Sequence, residues 1–230
     1  MLTLENMRVE MEGFALSADL TVPTGARVAV LGPSGAGKST LLGAIAGFQL
    51  VQGRVLWDGA PMPTTPAKRP ISMVFQDNNL FPHLSAFDNV ALGLNPSLRL
   101  STEDRKRVDG ALERVGLNGY GARKPGRLSG GQVARVALAR VLLRDRPVLL
   151  LDEPFGALGP ALKAEMLSLV AELLNETGAT LMMVSHEPED ARLIADHVVL
   201  VAEGRAHVPV PTDQIFANPP EALRDYLGRD

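Results

Sequence analysis

Cysteine is absent from the 230-residue sequence, and aromatic residues make up only 4% of it. The absence of cysteine excludes disulfides and thiol chemistry and is compatible with a reducing cytoplasm. An excess of one charge is also lacking, because 23 basic and 26 acidic residues leave a formal net charge of -3. A nucleic-acid-binding protein usually carries a basic face, so no nucleic-acid partner is expected. The short basic runs Lys68-Arg69 and Arg105-Lys106-Arg107 are interpreted as solvated surface.

Long hydrophobic runs are missing as well. No window offers about 18 uninterrupted apolar residues, so we expect no membrane-spanning helix. The first residues, MLTLENMRVEMEG, carry acids early and lack the apolar stretch of a signal peptide. A hydrophobic fraction of 46% is nevertheless enough for a substantial core. The sequence therefore predicts a folded protein that would reach a membrane only through a partner.

The order of apolar patterns predicts an α/β fold. Residues 148–154 (VLLLDEP) form an apolar run that ends in two acids, as expected of a central parallel strand buried on both faces. Further strands are predicted at 14–22, 27–31, 53–58, 71–75 and 198–202. Helical spacing dominates from about 77 to 147, including a helix from Gly130 to Arg144 with Val133, Val136, Ala137 and Val141 on one face. We expect one domain over 1–230, with a helical subdomain inserted at about 77–147.

A glycine-rich loop between a predicted strand and a predicted helix is the first feature that indicates a chemical function. It matches GxxxxGK[ST] and is followed by Thr40, its residues being Gly32-Pro33-Ser34-Gly35-Ala36-Gly37-Lys38-Ser39. Glycines let backbone N–H groups turn toward phosphate oxygens, and the helix N-terminus adds a positive field. Lys38 would approach the β- and γ-phosphates, and the Ser39 hydroxyl would ligate Mg²⁺. An ordinary glycine-rich turn is the alternative, but the position between strand and helix favours ATP binding.

Two acids at the end of the apolar strand are the second feature that indicates a chemical function. The carboxyl ends of strands in α/β folds are common places for chemistry, and Asp152-Glu153 lies at such an end. Because adjacent strand residues point to opposite sides, we expect the two acids to differ in role. Asp152 is assigned to Mg²⁺ and Glu153 to the base that activates water. The alternative is a pair of acids that merely ends a strand at the surface.

The pentapeptide Leu128-Ser129-Gly130-Gly131-Gln132 precedes the predicted helix, where Ser129 would be the N-cap. With this motif, the chain resembles the ATP-binding-cassette (ABC) ATPases over essentially its whole length. The family elements occur in order: Walker A at 32–39, the Q-loop Gln76, the signature LSGGQ at 128–132, Walker B with Asp152-Glu153, and the switch His186. The resemblance implies a P-loop NTPase with an N-terminal antiparallel β part beside the mixed or parallel sheet.

The resemblance also implies roles and partners. Gln76 would contact Mg²⁺ or the attacking water, and His186 would contact the γ-phosphate. In a homodimer, ATP would lie between the Walker A loop of one copy and the signature of the other, where Ser129, Gly130, Gly131 and Gln132 act in trans. ATP would close the dimer and hydrolysis would reopen it, driving transmembrane permease subunits. The chain would then lie peripherally on the cytoplasmic face of the inner membrane.

Three features depart from the family pattern. Gly159 stands where the family usually has the aspartate of SALD, which helps communication across the dimer. Val133 and Ala134 precede Arg135, so contacts around the signature are expected to differ. The family usually has an aromatic residue that stacks on adenine. The candidates here are Met11, by its position, and Phe14, which is also interpretable as a core residue.

Only a further resemblance indicates which solute would be transported. The segments 77–84 (DNNLFPHL) and 92–96 (LGLNP) resemble the ATP-binding subunits of bacterial thiamine importers, which imply a periplasmic solute-binding protein. Importers of iron(III), polyamines or sulfate are the alternatives. A soluble ABC ATPase usually has two cassettes or a long coiled-coil insertion, and a non-catalytic regulator would lack Glu153 or His186.

Overall fold

The computed structural model describes residues 1–228 and divides the chain into two compact units. The first unit contains Met1–Ile71, Pro147–Asp152 and the C-terminal segment from Gly178. The second contains Ser72–Arg146 and Glu153–Thr177. The helices of the stretch 77–147 thus lie in the second unit, which also includes a segment that begins with Glu153, the second residue of the acid pair.

The strands and helices follow in chain order. The strands are β1 (Leu2–Met11), β2 (Phe14–Val22), β3 (Arg27–Leu31), β4 (Gln52–Trp57), β5 (Ala60–Pro61), β6 (Ile71–Val74), β7 (Val148–Asp152), β8 (Thr180–Val184), β9 (His197–Ala202), β10 (Arg205–Ala206) and β11 (Val210–Pro211). The helices are α1 (Lys38–Ala46), α2 (Ala86–Ala91), α3 (Thr102–Arg114), α4 (Gly130–Arg144), α5 (Pro160–Thr177), α6 (Pro188–Ile194), α7 (Thr212–Ala217) and α8 (Glu221–Leu227).

The first unit is built on a mixed sheet. Its strands lie in the order β5-β4-β1-β2-β10-β9-β3-β8-β7, and β11 pairs with β9. The N-terminal strands pair antiparallel, whereas β9, β3, β8 and β7 pair parallel. All residues of β7 and β8 are buried, as their uninterrupted apolar runs require. The predicted α/β fold with an antiparallel N-terminal part is confirmed.

Strand β1 was not expected from the sequence pattern, and a bulge explains why. Leu2 and Leu4 are buried in its first half, and Met7 and Val9 in its second half. The change from even to odd positions coincides with a register shift between Leu4 and Met7, where Asn6 has a φ of 45°. One extra residue returns the apolar side chains to the same face of the sheet. The strand therefore has no continuous period of two in its sequence.

The second unit is helical around its own core, where Val90, Val108, Leu112 and Val136 are buried together. Helix α4 has the predicted bounds, but its predicted face is incomplete. Val133 is only half-buried, and the buried set also includes Gly131, Ala134, Leu138 and Ala139. Small side chains make α4 buried over more than one stripe, which a search for large apolar residues misses.

The interpretation of Lys68-Arg69 as solvated surface is wrong for its second residue. Lys68 is exposed, but Arg69 is only 5% exposed. Arg105, Lys106 and Arg107 are exposed, as expected. Within residues 1–228, the helices are all too short or too polar to cross a bilayer.

Candidate functional site

The glycine-rich loop joins β3 to α1, and two of its glycines are sterically required. Gly32 has a φ of 147°, and a Cβ there would lie 2.0 Å from the carbonyl oxygen of Val201. Gly37 has a φ of 102°, and a Cβ there would lie 2.5 Å from Cζ of Phe14. A side chain at either position would collide with its neighbour or strain the backbone. The close packing holds one end of the loop against β9 and the other against β2.

Lys38 is the first residue of α1 and only 5% exposed. Its ammonium group donates hydrogen bonds to the carbonyl oxygens of Gly32, at 2.8 Å, and Pro33, at 2.9 Å. These bonds connect the two ends of the loop and place a positive charge against it. Around them, Pro33, Ser34, Gly35 and Ser39 are exposed, whereas Ala36, Gly37 and Thr40 are half-buried. The loop therefore offers an accessible rim around a buried cation.

Ser39 and Asp152 are brought together in the first unit, although they lie far apart in the sequence. The Ser39 hydroxyl donates to Oδ1 of Asp152 at 2.9 Å, and Asp152 is 7% exposed at the end of β7. A hydroxyl and a carboxylate supply the hard oxygen ligands that Mg²⁺ prefers alongside phosphate oxygens and water. The residues present therefore fit a Mg²⁺ ion bound with a nucleotide.

Phe14 and Met11, the two candidates for adenine stacking, are cross-strand partners in the hairpin of β1 and β2. The Phe14 ring is half-buried and packs against Gly37, whereas Met11 is 43% exposed. Phe14 thus has a packing role at the loop, and Met11 has more accessible surface. Which of them meets a base stays a prediction.

Arg69, which the sequence pattern placed at the surface, anchors the other end of α1. Its guanidinium donates to the carbonyl oxygens of Ala44, at 3.0 Å, and Ile45, and its Nε donates to Pro63 O at 2.8 Å. The last carbonyls of a helix lack partners within the helix and carry partial negative charge, so a buried cation satisfies both needs. Burial lowers the pKa of Arg69 below its ordinary value.

In the second unit, Gln76 and Glu153 lie together: the Gln76 amide donates to the Glu153 carboxylate at 3.4 Å. The expected geometry of Glu153 is wrong in one respect. Strand β7 ends at Asp152, and Glu153 has a φ of 46° in the left-handed region. Its side-chain direction therefore does not follow from strand alternation. A non-glycine residue held in this region is strained, and such residues are concentrated at functional sites.

The turn after Gln76 is held by the helix that follows the signature loop. Asn78 and Asn79 have φ values of 58° and 43°, and the Arg140 guanidinium donates to their carbonyl oxygens at 3.0 Å and 2.8 Å. Burial, followed by the nearby charge of Arg144, lowers the pKa of Arg140, against the effect of Asp77. Arg140 is a second residue that no motif indicated, because its acceptors are backbone carbonyls of a distant segment.

The signature loop caps α4 as predicted. Ser129 accepts from the backbone N–H of Gln132 at 3.3 Å, and the Gln132 side chain accepts from the backbone N–H of Ser129 at 3.0 Å. This reciprocal capping box fixes the start of the helix. A Cβ at Gly131 would lie 2.3 Å from Cδ2 of Leu162 on α5, so glycine is needed there for packing within the unit. At Gly130 the nearest such atom is 4.0 Å away.

One of the departures from the family pattern has a local explanation, and the glycine at position 159 has none in the structure. Arg135 does not extend toward the signature: it donates to Val115 O at 2.8 Å and pairs with Glu165 at 2.6 Å. At Gly159, a Cβ would meet nothing within 4 Å, so no steric reason excludes an aspartate. Gly159 directly precedes α5, and its carbonyl accepts from the backbone N–H of Lys163 at 3.0 Å.

His186 lies in the first unit, between β8 and α6, and is exposed. Its backbone carbonyl accepts a hydrogen bond from the Tyr226 hydroxyl. The first unit thus contains the glycine-rich loop, Asp152 and His186, and the second contains Gln76, Glu153 and the signature loop.

Comparison with known sequences identifies close relatives. The family described as ABC transporter matches residues 16–156. The thiamine import ATP-binding protein ThiQ of Cereibacter sphaeroides is 60% identical over 230 residues, covering 99% of this chain and 100% of that protein. The protein of the same name from Ruegeria sp. (strain TM1040) is 56% identical, with 99% and 100% covered. That from Photobacterium profundum is 47% identical, with 94% and 91% covered.

Solved structures agree with the sequence relatives. The ATP-binding cassette MJ0796, in a dimeric post-hydrolysis state bound to ADP and Pi, has a TM-score of 0.81 and 31% identity, with 92% of this chain and 99% of that chain covered. The cbiO1 protein of Clostridium perfringens, part of the ABC transporter complex cbiONQ, has a TM-score of 0.80 and 31% identity, with 97% and 93% covered.

Proposed function

The chain belongs to the ABC transporter family, and from this premise we propose that it is the ATP-hydrolysing subunit of a thiamine importer. One observation carries the proposal: a phosphate loop with a buried lysine and a serine–aspartate oxygen pair occurs in a chain 60% identical, end to end, to a thiamine import ATP-binding protein. The activity follows from the loop and the acids, whereas the cargo rests on the relatives.

The phosphates of ATP would bind at residues 32–40. The steric requirement for Gly32 and Gly37 keeps side chains away from the backbone that approaches the phosphates. The N-terminus of α1 and the ammonium group of Lys38 supply positive charge there. Because Lys38 is bound to two carbonyl oxygens of the loop, its charge is already in place before phosphate arrives.

Mg²⁺ would be held by Ser39 and Asp152, with Gln76 as a third ligand. When bound, the ion would neutralise phosphate charge and orient the γ-phosphate for attack. Glu153 would accept a proton from the attacking water, and His186 would donate a hydrogen bond to a γ-phosphate oxygen. The strained φ of Glu153 supports a functional role, since such a conformation has a cost that the fold retains.

Two copies would be needed for turnover. Ser129, Gly130, Gly131 and Gln132 would contact the γ-phosphate bound to the partner copy, giving two equivalent sites in a symmetric dimer. The dimeric state of the solved ADP-bound relative supports this arrangement. Dimer closure on ATP and reopening on hydrolysis would move permease subunits, with the chain peripheral on the cytoplasmic face of the membrane.

The role of Glu153 is tested by Glu153→Gln, which keeps the size and removes the base. We expect ATP binding to persist, hydrolysis to fall by at least about 100-fold, and an ATP-dependent dimer to accumulate in size-exclusion chromatography. Glu172→Gln, at an exposed position of α5, is the matched control and should behave like the native chain. Near-normal hydrolysis by Glu153→Gln would refute its role as the base.

The cargo is tested by reconstitution. The chain would be assembled in vesicles with the permease that co-purifies with it and with the binding protein of that permease, and ATP hydrolysis measured with thiamine, iron(III), a polyamine or sulfate. We expect stimulation by thiamine alone. Stimulation by one of the other solutes, with none by thiamine, would be compatible with the proposed ATPase role and would refute thiamine as the transported solute.

A further inference from the structure

The loop that carries His186 is fixed on both sides of this residue. Ser185 precedes it and is 5% exposed, and Asp190 lies in the first turn of α6 and is also 5% exposed. The Ser185 hydroxyl donates to the Asp190 carboxylate and accepts from the backbone N–H of Glu187 at 3.1 Å. A buried serine–aspartate pair therefore holds the residues that flank the exposed His186.

A second contact reaches the same loop from the other end of the chain. The Tyr226 hydroxyl, on α8, donates to the backbone carbonyl of His186 at 2.5 Å. The two residues are separated by 40 positions. This hydrogen bond acts on His186 itself, whereas the serine–aspartate pair acts through the residues on either side of it.

Tyr226 is itself held in place by packing. Its ring packs against an apolar cluster of the first unit that includes Ala29, Leu31 and Leu200. Leu223, one helical turn earlier on α8, is fully buried in the same cluster. Ala29 and Leu31 belong to β3, which leads directly into the phosphate loop, so the cluster that holds the ring includes residues of that strand.

We propose that Tyr226 is a positioning residue for His186, holding the switch loop through its backbone carbonyl. The proposal rests on the role proposed for His186 in hydrolysis. The carbonyl of His186 belongs to the peptide plane between His186 and Glu187, so a donor at this oxygen restricts rotation of that plane and helps to fix the position of the Cα that carries the imidazole.

The proposal predicts a particular kinetic pattern. The Tyr226 hydroxyl donates to the loop of His186, which follows β8 and is separate in sequence from residues 32–40, so loss of this hydroxyl should leave the KM for ATP unchanged. The kcat should fall about fivefold, the factor expected when one net hydrogen bond that keeps a reacting group oriented is lost.

Histidine-selective NMR of the full chain tests the position directly. The sequence has four histidines, and His186→Ala identifies the imidazole signals of His186 by their disappearance. Tyr226→Phe keeps the aromatic ring, so a shift or broadening reports the hydroxyl. We expect the His186 signals alone to move. Tyr120→Phe, which alters the other tyrosine of the chain, is the matched control and should leave every histidine signal in place.

ATPase assays of the same variants separate positioning from general structure. If Tyr226 acts through His186, Tyr226→Phe should lower kcat in the native background and have no further effect in His186→Ala. Tyr120→Phe should not change kcat or KM. An equal loss of kcat in both backgrounds, or unmoved His186 signals in Tyr226→Phe, would overturn the proposal.

A different experimental result would show that the proposed function is wrong. If His186→Ala hydrolysed ATP at the native rate, the catalytic role of His186 would be wrong whatever Tyr226 does. The NMR comparison would still decide whether Tyr226 holds the loop, because it needs no turnover.

Discussion

Replacing Arg69 with methionine should destabilise the chain although the residue belongs to no motif. The side chain is 5% exposed, and its guanidinium donates hydrogen bonds to the carbonyl oxygens of Ala44, Ile45 and Pro63. Methionine keeps much of the apolar stem and removes every donor. Ala44 and Ile45 lie in the last turn of α1, where carbonyls lack the usual helical partner four residues on, although the Ala44 carbonyl also accepts from the backbone N–H of Gly47 at 3.1 Å.

The magnitude follows from the bonds lost. A hydrogen bond to a charged group contributes about 1.5–3 kcal/mol, and bonds from one guanidinium are not additive. Removal of the buried charge also relieves its desolvation cost, which offsets part of the loss. We therefore expect the free energy of unfolding to fall by about 3 kcal/mol. For a chain of this size, that corresponds to a fall in Tm of roughly 6–12 °C.

The assay is thermal unfolding followed by circular dichroism, with Lys68→Met as the matched control. Lys68 is the exposed neighbour of Arg69, so its replacement should change stability by less than about 0.5 kcal/mol. Arg69→Lys should recover only part of the loss, because a single ammonium group cannot reproduce the fork of donors. If Arg69→Met melted together with Lys68→Met and the native chain, the assigned anchoring of α1 would be refuted.

Further predictions concern the phosphate loop, the signature and a helix cap. Gly37→Ala should weaken ATP binding at least about tenfold in calorimetry, since the φ of 102° is strained for alanine and its Cβ meets the Phe14 ring; unchanged affinity would contradict the steric account. Ser129→Arg should abolish ATP-dependent dimerisation in size-exclusion chromatography while monomers still bind ATP, and a persisting dimer would rule out the trans site. Hydrogen bonds from the backbone and hydroxyl of Ser101 lower the pKa of Asp104 below its ordinary value in the folded chain. The stabilisation by this cap is therefore present above the ordinary carboxyl pKa and lost as pH falls through the lowered one. Asp104→Asn should flatten the dependence of stability on pH in that acidic range, and an unaltered slope would show that other groups cause it.

Several features could be predicted because they depend on neighbouring residues. The phosphate loop is a contiguous pattern between a strand and a helix, and the structure has β3 and α1 on either side of it. The uninterrupted apolar run of β7 indicated a strand buried on both faces. The capping of α4 depends on Ser129 and Gln132, three positions apart. In each case, the interacting groups lie within one turn or one strand, so their chemistry is present in a short window.

Other features were decided only by tertiary structure. Nothing beside Arg69 in the sequence indicates burial, because its acceptors belong to the end of α1 and a preceding loop. The φ of Glu153 ends β7 one residue earlier than the apolar pattern indicated, and Gly131 is required by Leu162 of another helix. These outcomes depend on carbonyls and side chains that the fold brings together from distant positions. The role of such a guanidinium or glycine depends on residues that are distant in the sequence, whereas the interacting residues of a motif lie close together in it.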